Sequence, residues 1–147
     1  MSDRIERSIF IAAPLDKVWA AISDYREFGS WFGVMLDQPF VAGQSSTGHM
    51  SFNDRKFDWN ADVVAVEPPK RLAFRWRPFA IDPDVDYSAE PKTLVEFTLA
   101  EQDGGTELTV VESGFNAIPA SRRDEAFRMN SKGWSAQVEN VRRHAEA

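Results

Sequence analysis

Glu112 is the acid in this sequence best placed to meet an apolar interior. It has the same strand parity as Leu108 and Val110, which directs its side chain to the face those two residues bury. Its place near the end of the strand, where the sheet meets solvent, argues more strongly for an exposed side chain. Asn130 lies one helical turn from both Phe127 and Trp134. A carboxylate and a carboxamide in apolar surroundings need hydrogen-bond partners, and an enclosed Glu is a candidate acid or base. His49, beside Gly48 on a polar strand, is a second candidate base, or equally a surface or satisfied core residue. Nucleophilic chemistry has little support: there is no cysteine, and no serine stands in a G-x-S-x-G setting. A triad would need His49 to meet a loop serine in space.

Metal chemistry fares no better. Asp82, Asp84 and Asp86 match the opening of a calcium loop, but Tyr87 stands where glycine is needed and Thr93 where the bidentate Glu belongs. The acids from Asp82 to Glu90 therefore read as a solvated loop. With 2 histidines and no cysteine, thiolate, iron–sulfur and histidine-rich centres are excluded within one chain. No metal, cofactor or catalytic residue is assigned.

The rings are the other chemical resource. The chain of 147 residues carries 11 Phe and 5 Trp against 2 Tyr. Phe57, Trp59, Phe74, Trp76, Phe97 and Val110 fall on the inward parity of alternating segments, and Phe127 and Trp134 on a helical stripe. With Glu112 and Asn130 they form the candidate ligand-binding set. Apolar walls with a few polar groups are the usual form of a small-molecule site; filling a dense core is the alternative use of the same rings. Gly133, beside Trp134, would permit close approach of a neighbouring element. Trp31 and Phe32 suit either packing or gating.

These residues imply the elements that hold them. Residues 4–11 alternate as a strand, and Leu15, Val18, Trp19 and Ile22 follow Pro14 at helical spacing. Tyr25 to Phe32 make a short second helix or a ring-packed turn. Val34–Val41, with Pro39, reads as an edge strand and Gly43–Phe52 as another. Asn53-Asp54 marks a hairpin turn, and strands follow at 57–65 and 72–76 across Glu67-Pro68-Pro69-Lys70. Residues 78–91, with Pro78, Pro83 and Pro91, form a long loop. Two more strands run through Val95–Leu99 and Leu108–Val110 around Asp103-Gly104-Gly105. A capping box at Ser121 and Asp124 opens a helix to about residue 143, with Phe127, Trp134, Val138 and Val141 on one stripe.

The net charge of −6 argues against a nucleic-acid binder and against an acidic membrane surface. Residues 82–103 hold seven acids and one base, while residues 120–147 are basic on balance. On different faces, these regions could orient a protein partner or an anionic ligand. No apolar stretch approaches a membrane span or a signal peptide, so the cytoplasm is the expected location.

The run Ile9-Phe10-Ile11-Ala12-Ala13-Pro14-Leu15-Asp16-Lys17-Val18-Trp19 resembles the strand-to-helix junction of the Bet v 1-like, START-related (SRPBCC) superfamily. Glu67-Pro68-Pro69-Lys70-Arg71-Leu72-Ala73-Phe74 is similar to its middle turn. Gly105 to Phe115 and Gly133-Trp134 resemble the subgroup related to the C-terminal domain of the Hsp90 ATPase activator. The resemblance spans essentially residues 1–147 and implies one α+β helix-grip domain. In that fold a curved antiparallel sheet of about six to seven strands wraps a long C-terminal helix and leaves a cavity between them. Residues 78–91 look longer and more acidic than the usual connection, and the last helix is poorer in leucine. The implied function is binding of a hydrophobic or aromatic small molecule without clear catalysis. A chaperone or stress-related protein-interaction module and a cavity enzyme (cyclase, dehydratase or hydrolase) are the alternatives.

Overall fold

The structure, a computed structural model, describes residues 3–52, 54–82 and 84–147. Asn53 of the expected hairpin turn and Pro83 of the long loop lie outside the described residues. In chain order come β1 (Arg4–Ile11), α1 (Leu15–Ser23), α2 (Tyr25–Phe32), β2 (Val34–Leu36), β3 (Ser45–Phe52), β4 (Arg55–Glu67), β5 (Arg71–Trp76), β6 (Thr93–Gln102) and β7 (Gly105–Ser113). A 3-10 turn at Phe115–Ala117 then leads into α3 (Ala120–Glu146). The strands form one antiparallel sheet in the order β1-β7-β6-β5-β4-β3-β2. With α3 laid along it, this is the α+β helix-grip architecture.

Local chemistry explains most boundaries. The β6–β7 hairpin turns on Asp103 and Gly104, both left-handed at φ 48° and 80°; two such residues in succession match the twist of the flanking strands. Asp24 caps α2 by accepting from the backbone N–H of Arg26 and Glu27 at 2.9 and 3.3 Å. Gly33 ends the helix with φ 90°. In β6, Thr93, Val95, Phe97 and Leu99 are buried at every second position, the period of a strand with one face on the core.

The structure corrects four local expectations. β2 is an edge strand but stops at Leu36, well short of Val41. The Ser121 capping box is not formed: α3 starts one residue earlier, and the Pro119 carbonyl accepts from the N–H groups of Arg122 and Arg123. The buried stripe of α3 runs through Ala126, Trp134, Val138, Val141 and Ala145, with Phe127 on its flank. Around Gly133 there is open space, so no element approaches it closely.

α3 packs chiefly on β1 and against α1 and α2. Arg7 of β1 donates to the Ser131 and Ser135 hydroxyls at 2.7 and 3.0 Å, and Gln137 donates to the Phe32 carbonyl at 3.0 Å. Trp31 and Phe32 are buried packing residues, and the Trp31 indole N–H donates to the Ala21 carbonyl at 2.8 Å. Among the described residues no helix is long and apolar enough to cross a membrane.

Candidate functional site

Glu112 is the penultimate residue of β7 and is completely buried. Parity wins over its position near the strand end, because β7 lies between β1 and β6 and the side chains of Asn130 and Trp134 reach over it from the helix. Four neutral groups donate to its carboxylate. Trp134 donates to Oε1 at 2.8 Å and Asn130 at 3.0 Å. Trp76 donates to Oε2 at 2.7 Å and Thr93 at 2.6 Å. A buried carboxylate is tolerated when its lone pairs are filled in this way. Each partner comes from a different place: the end of β5, the start of β6, and two successive turns of α3. The acid therefore ties sheet to helix.

Around this acid the rings pack on one another. Trp76 stands 5.4 Å from Trp59 and 5.9 Å from Trp134, centroid to centroid. Phe97 contacts Trp134 at 5.7 Å, and Phe74 contacts Trp59 and Trp76 at 5.5 Å each. Phe32 and Phe28 close the group from α2. Edge-on pairs of this kind add about 0.5–1.5 kcal/mol each beyond their burial. The rings fill the interval between sheet and helix.

Open volume lies just beyond them. A cleft of about 770 Å³ runs between the start of β4, the β5–β6 loop and the first turns of α3. Phe57, Phe79, Ile81, Val85 and Tyr87 give it apolar walls, and Arg55, Asp82, Asp84, Arg122 and Glu125 its polar ones. Phe57 stands two residues before Trp59, so the cleft continues the inner face of β4 outward. Arg122 fixes the mouth. It donates to Glu90 at 2.7 Å and to the Phe79 carbonyl at 3.0 Å, and lies over the Tyr87 ring at 4.8 Å. This ion pair joins the acidic loop directly to the basic helix, so the two charged regions adjoin. In that loop the Asp86 carboxyl is held below the usual carboxylate range by hydrogen bonds from the Ser88 backbone and side chain, with Arg77 adding to the effect.

The ten candidate residues thus divide. Trp59, Phe74, Trp76, Phe97, Val110, Glu112, Asn130 and Trp134 gather around the buried acid. Phe57 lines the cleft. Phe127 packs on Phe115 at 5.1 Å, beside a shallow basic groove with Arg7, Arg128 and Lys132. His49 is exposed on β3, opposite Met35, so the Glu112 partner is Asn130 and not His49. Asp82 and Asp86 accept from the backbone N–H of Asp84 and Ser88, closing local turns. Among the described residues no group of His, Cys, Asp or Glu is arranged to hold a metal. Thr93 was missed, although it shares the parity of Val95 and Phe97. Phe79, Ile81, Tyr87 and Arg122 carry no periodic signal that could have found them.

The family model described as activator of Hsp90 ATPase homolog 1-like protein matches residues 12–146. The chain belongs to this family. It is an SRPBCC-type family, and the solved structures most informative for this member agree with that placement. DynU16, a protein of the dynemicin biosynthetic locus, is 29% identical over 100% of this chain, with a TM-score of 0.75. This chain spans only 48% of the DynU16 chain. MLL2253 from Mesorhizobium loti is 26% identical over 96% of this chain and 95% of its own, also with a TM-score of 0.75. CalU16 from Micromonospora echinospora shares the fold at a TM-score of 0.65 and 22% identity, over 97% of this chain and 75% of its own. No curated protein matches the sequence at a significant level.

Proposed function

We propose that this family member binds a hydrophobic or aromatic small molecule in the cleft at the edge of the ring-filled sheet–helix interface. The ligand enters through the cleft and rests against the ring group, and no catalytic step is assigned. The observation that carries the reading is the cleft itself. Its volume of about 770 Å³ falls in the range of small-molecule sites, roughly 300–1,000 Å³. Half of its lining residues are apolar or aromatic; Phe57 shares the inner face of β4 with Trp59, and Phe79 packs against the core. Catalysis has weaker support, because Glu112, the one fully buried acid among the described residues, is occupied by donors, and His49 is exposed on β3. Membership in the activator-like family keeps a protein-interaction role as the second reading, favoured by the exposed Met35 and Val41 beside the β2 edge.

The test uses N-phenyl-1-naphthylamine, a neutral apolar fluorophore. Saturable binding with enhanced emission is expected in the unmodified protein. Ile81→Glu places a charge on the cleft wall, at a residue outside the buried core. It should weaken binding roughly tenfold or more, because an apolar probe would then desolvate a carboxylate, while the far-UV spectrum stays unchanged. Unaltered binding in that variant, or no saturable binding at all, would remove the cleft as the site.

A further inference from the structure

On the ligand-binding reading given above, we infer that the ligand carries a protonated amine, and that Glu112 is its anchor once the Trp76 indole is displaced. Glu112 is buried to the last atom, yet its hydrogen-bond partners among the described residues are all uncharged: two indole N–H groups, an amide and a hydroxyl. Partly buried carboxylates elsewhere in the protein have cations. Glu90 has Arg122 and Glu96 has Arg71. The negative charge of Glu112 has none among the described residues, and a buried charge is best compensated by one of opposite sign.

The four donors are not equivalent. Thr93 and Trp134 are themselves buried, with exposures of 0% and 3%. They form the inner wall. Trp76 and Asn130 are half-buried, the two partners of the acid that reach solvent. Trp76 is also the last residue of β5, where the chain leaves the sheet for the loop. A swing of its side chain breaks no strand interior. The next residue, Arg77, holds the orphan buried side-chain nitrogen among the described residues, its Nε having no partner. This strand end is thus incompletely satisfied as it stands.

The surroundings favour a cation at the position of the Trp76 N–H. The rings of Trp59 and Trp134 pack against the Trp76 ring at 5.4 and 5.9 Å, and ring faces attract ammonium groups. On the cleft wall, Asp82, Asp84 and Glu125 outnumber Arg55, since Arg122 is already neutralised by Glu90. The Trp76 N–H already makes a charge-assisted bond to the carboxylate; an incoming ammonium adds a full opposite charge, whose attraction is strengthened away from bulk water. A neutral ligand of the same shape gains nothing by the exchange, and an anion is repelled. The ligand class is therefore an arylalkylamine, an aromatic ring carrying an aliphatic amine that is cationic at neutral pH.

The experiment compares three probes of one shape: 1-naphthylmethylamine, 1-naphthylmethanol and 1-naphthoate. Affinities come from calorimetry, and the indole N–H resonances of nitrogen-labelled protein are followed in parallel. The amine should bind about tenfold tighter than the alcohol, a difference of about 1.4 kcal/mol, and the naphthoate weakest. The Trp76 indole resonance should move to a solvent-like position with the amine, while that of Trp134 stays. Trp76→Phe, which removes the competing donor, should strengthen amine binding and leave the alcohol unchanged. Glu112→Gln should bring the amine down to the alcohol. Equal binding of amine and alcohol, a naphthoate preference, or weaker amine binding in Trp76→Phe overturns the inference and leaves the ligand-binding reading standing. Failure of all three probes, together with N-phenyl-1-naphthylamine, overturns both.

Discussion

Replacing Glu112 by Gln keeps the shape of the side chain and turns one of its two acceptors into a donor. The geometry decides which. On the Oε1 side stands the Trp134 N–H at 2.8 Å, from a residue that is 3% exposed and cannot turn away. On the Oε2 side stand Thr93 at 2.6 Å, whose hydroxyl can rotate to accept, and the half-buried Trp76 at 2.7 Å. The new amide nitrogen therefore settles on the Oε2 side, and the Trp76 N–H loses its acceptor. One hydrogen bond to a charged group is worth about 1.5–3 kcal/mol, and the remaining bonds weaken with the charge gone. The variant should lose roughly 2–4 kcal/mol of stability by the same reckoning. Trp76→Phe should cost about 1.5–3 kcal/mol through the same bond, together with some ring packing. In the Glu112→Gln background only the packing part remains. Urea melts of the four proteins, followed by far-UV circular dichroism, close the cycle, and the ring-truncation cost common to both backgrounds cancels. A coupling of about 1.5 kcal/mol or more is expected. Additive losses, or a Glu112→Gln variant as stable as the parent, would refute the assignment of Glu112 as the acceptor that organises the site.

Gly133→Ala should stabilise the protein by about 0.5–1 kcal/mol, because the position is mid-helix and an added methyl meets open space; a urea melt checks it. Arg122→Ala removes the tie to Glu90 and to the Phe79 carbonyl. It should raise amide exchange in residues 79–91 relative to β6, at a cost of about 1–2 kcal/mol for this partly exposed pair. Gly104→Val puts a branched side chain at φ 80° and should cost about 1–2 kcal/mol, visible as a lowered thermal midpoint.

The parts of the fold visible in the sequence are those with a strict period. β6 and β7 alternate so regularly that their inner faces follow from parity alone. Glu112 shares that parity, but its place near the strand end points to solvent, and only the donors on β5, β6 and α3 enclose it. Asp103-Gly104 announces its hairpin because few other dipeptides accept two left-handed residues in succession. The α3 stripe is displaced by one residue at its start. There the large Phe127 dominates the sequence pattern over the small Ala126, though tertiary fit at that turn selects the smaller side chain. The acidic loop is legible as a loop and no further. Its apolar residues, Phe79, Ile81, Val85 and Tyr87, follow no repeat, and their convergence on Arg122 depends on where α3 begins in space. A pattern read along one chain segment cannot contain that meeting.

The central claim is that a small apolar molecule enters between the β5–β6 loop and the start of α3. Nitrogen-labelled protein titrated with N-phenyl-1-naphthylamine tests it most directly, residue by residue. The amides of Phe57, Phe79, Ile81 and Tyr87 and the Trp76 indole should shift together and saturate at one equivalent. Shifts confined to the exposed Met35 and Val41, or none at saturating probe, would contradict it.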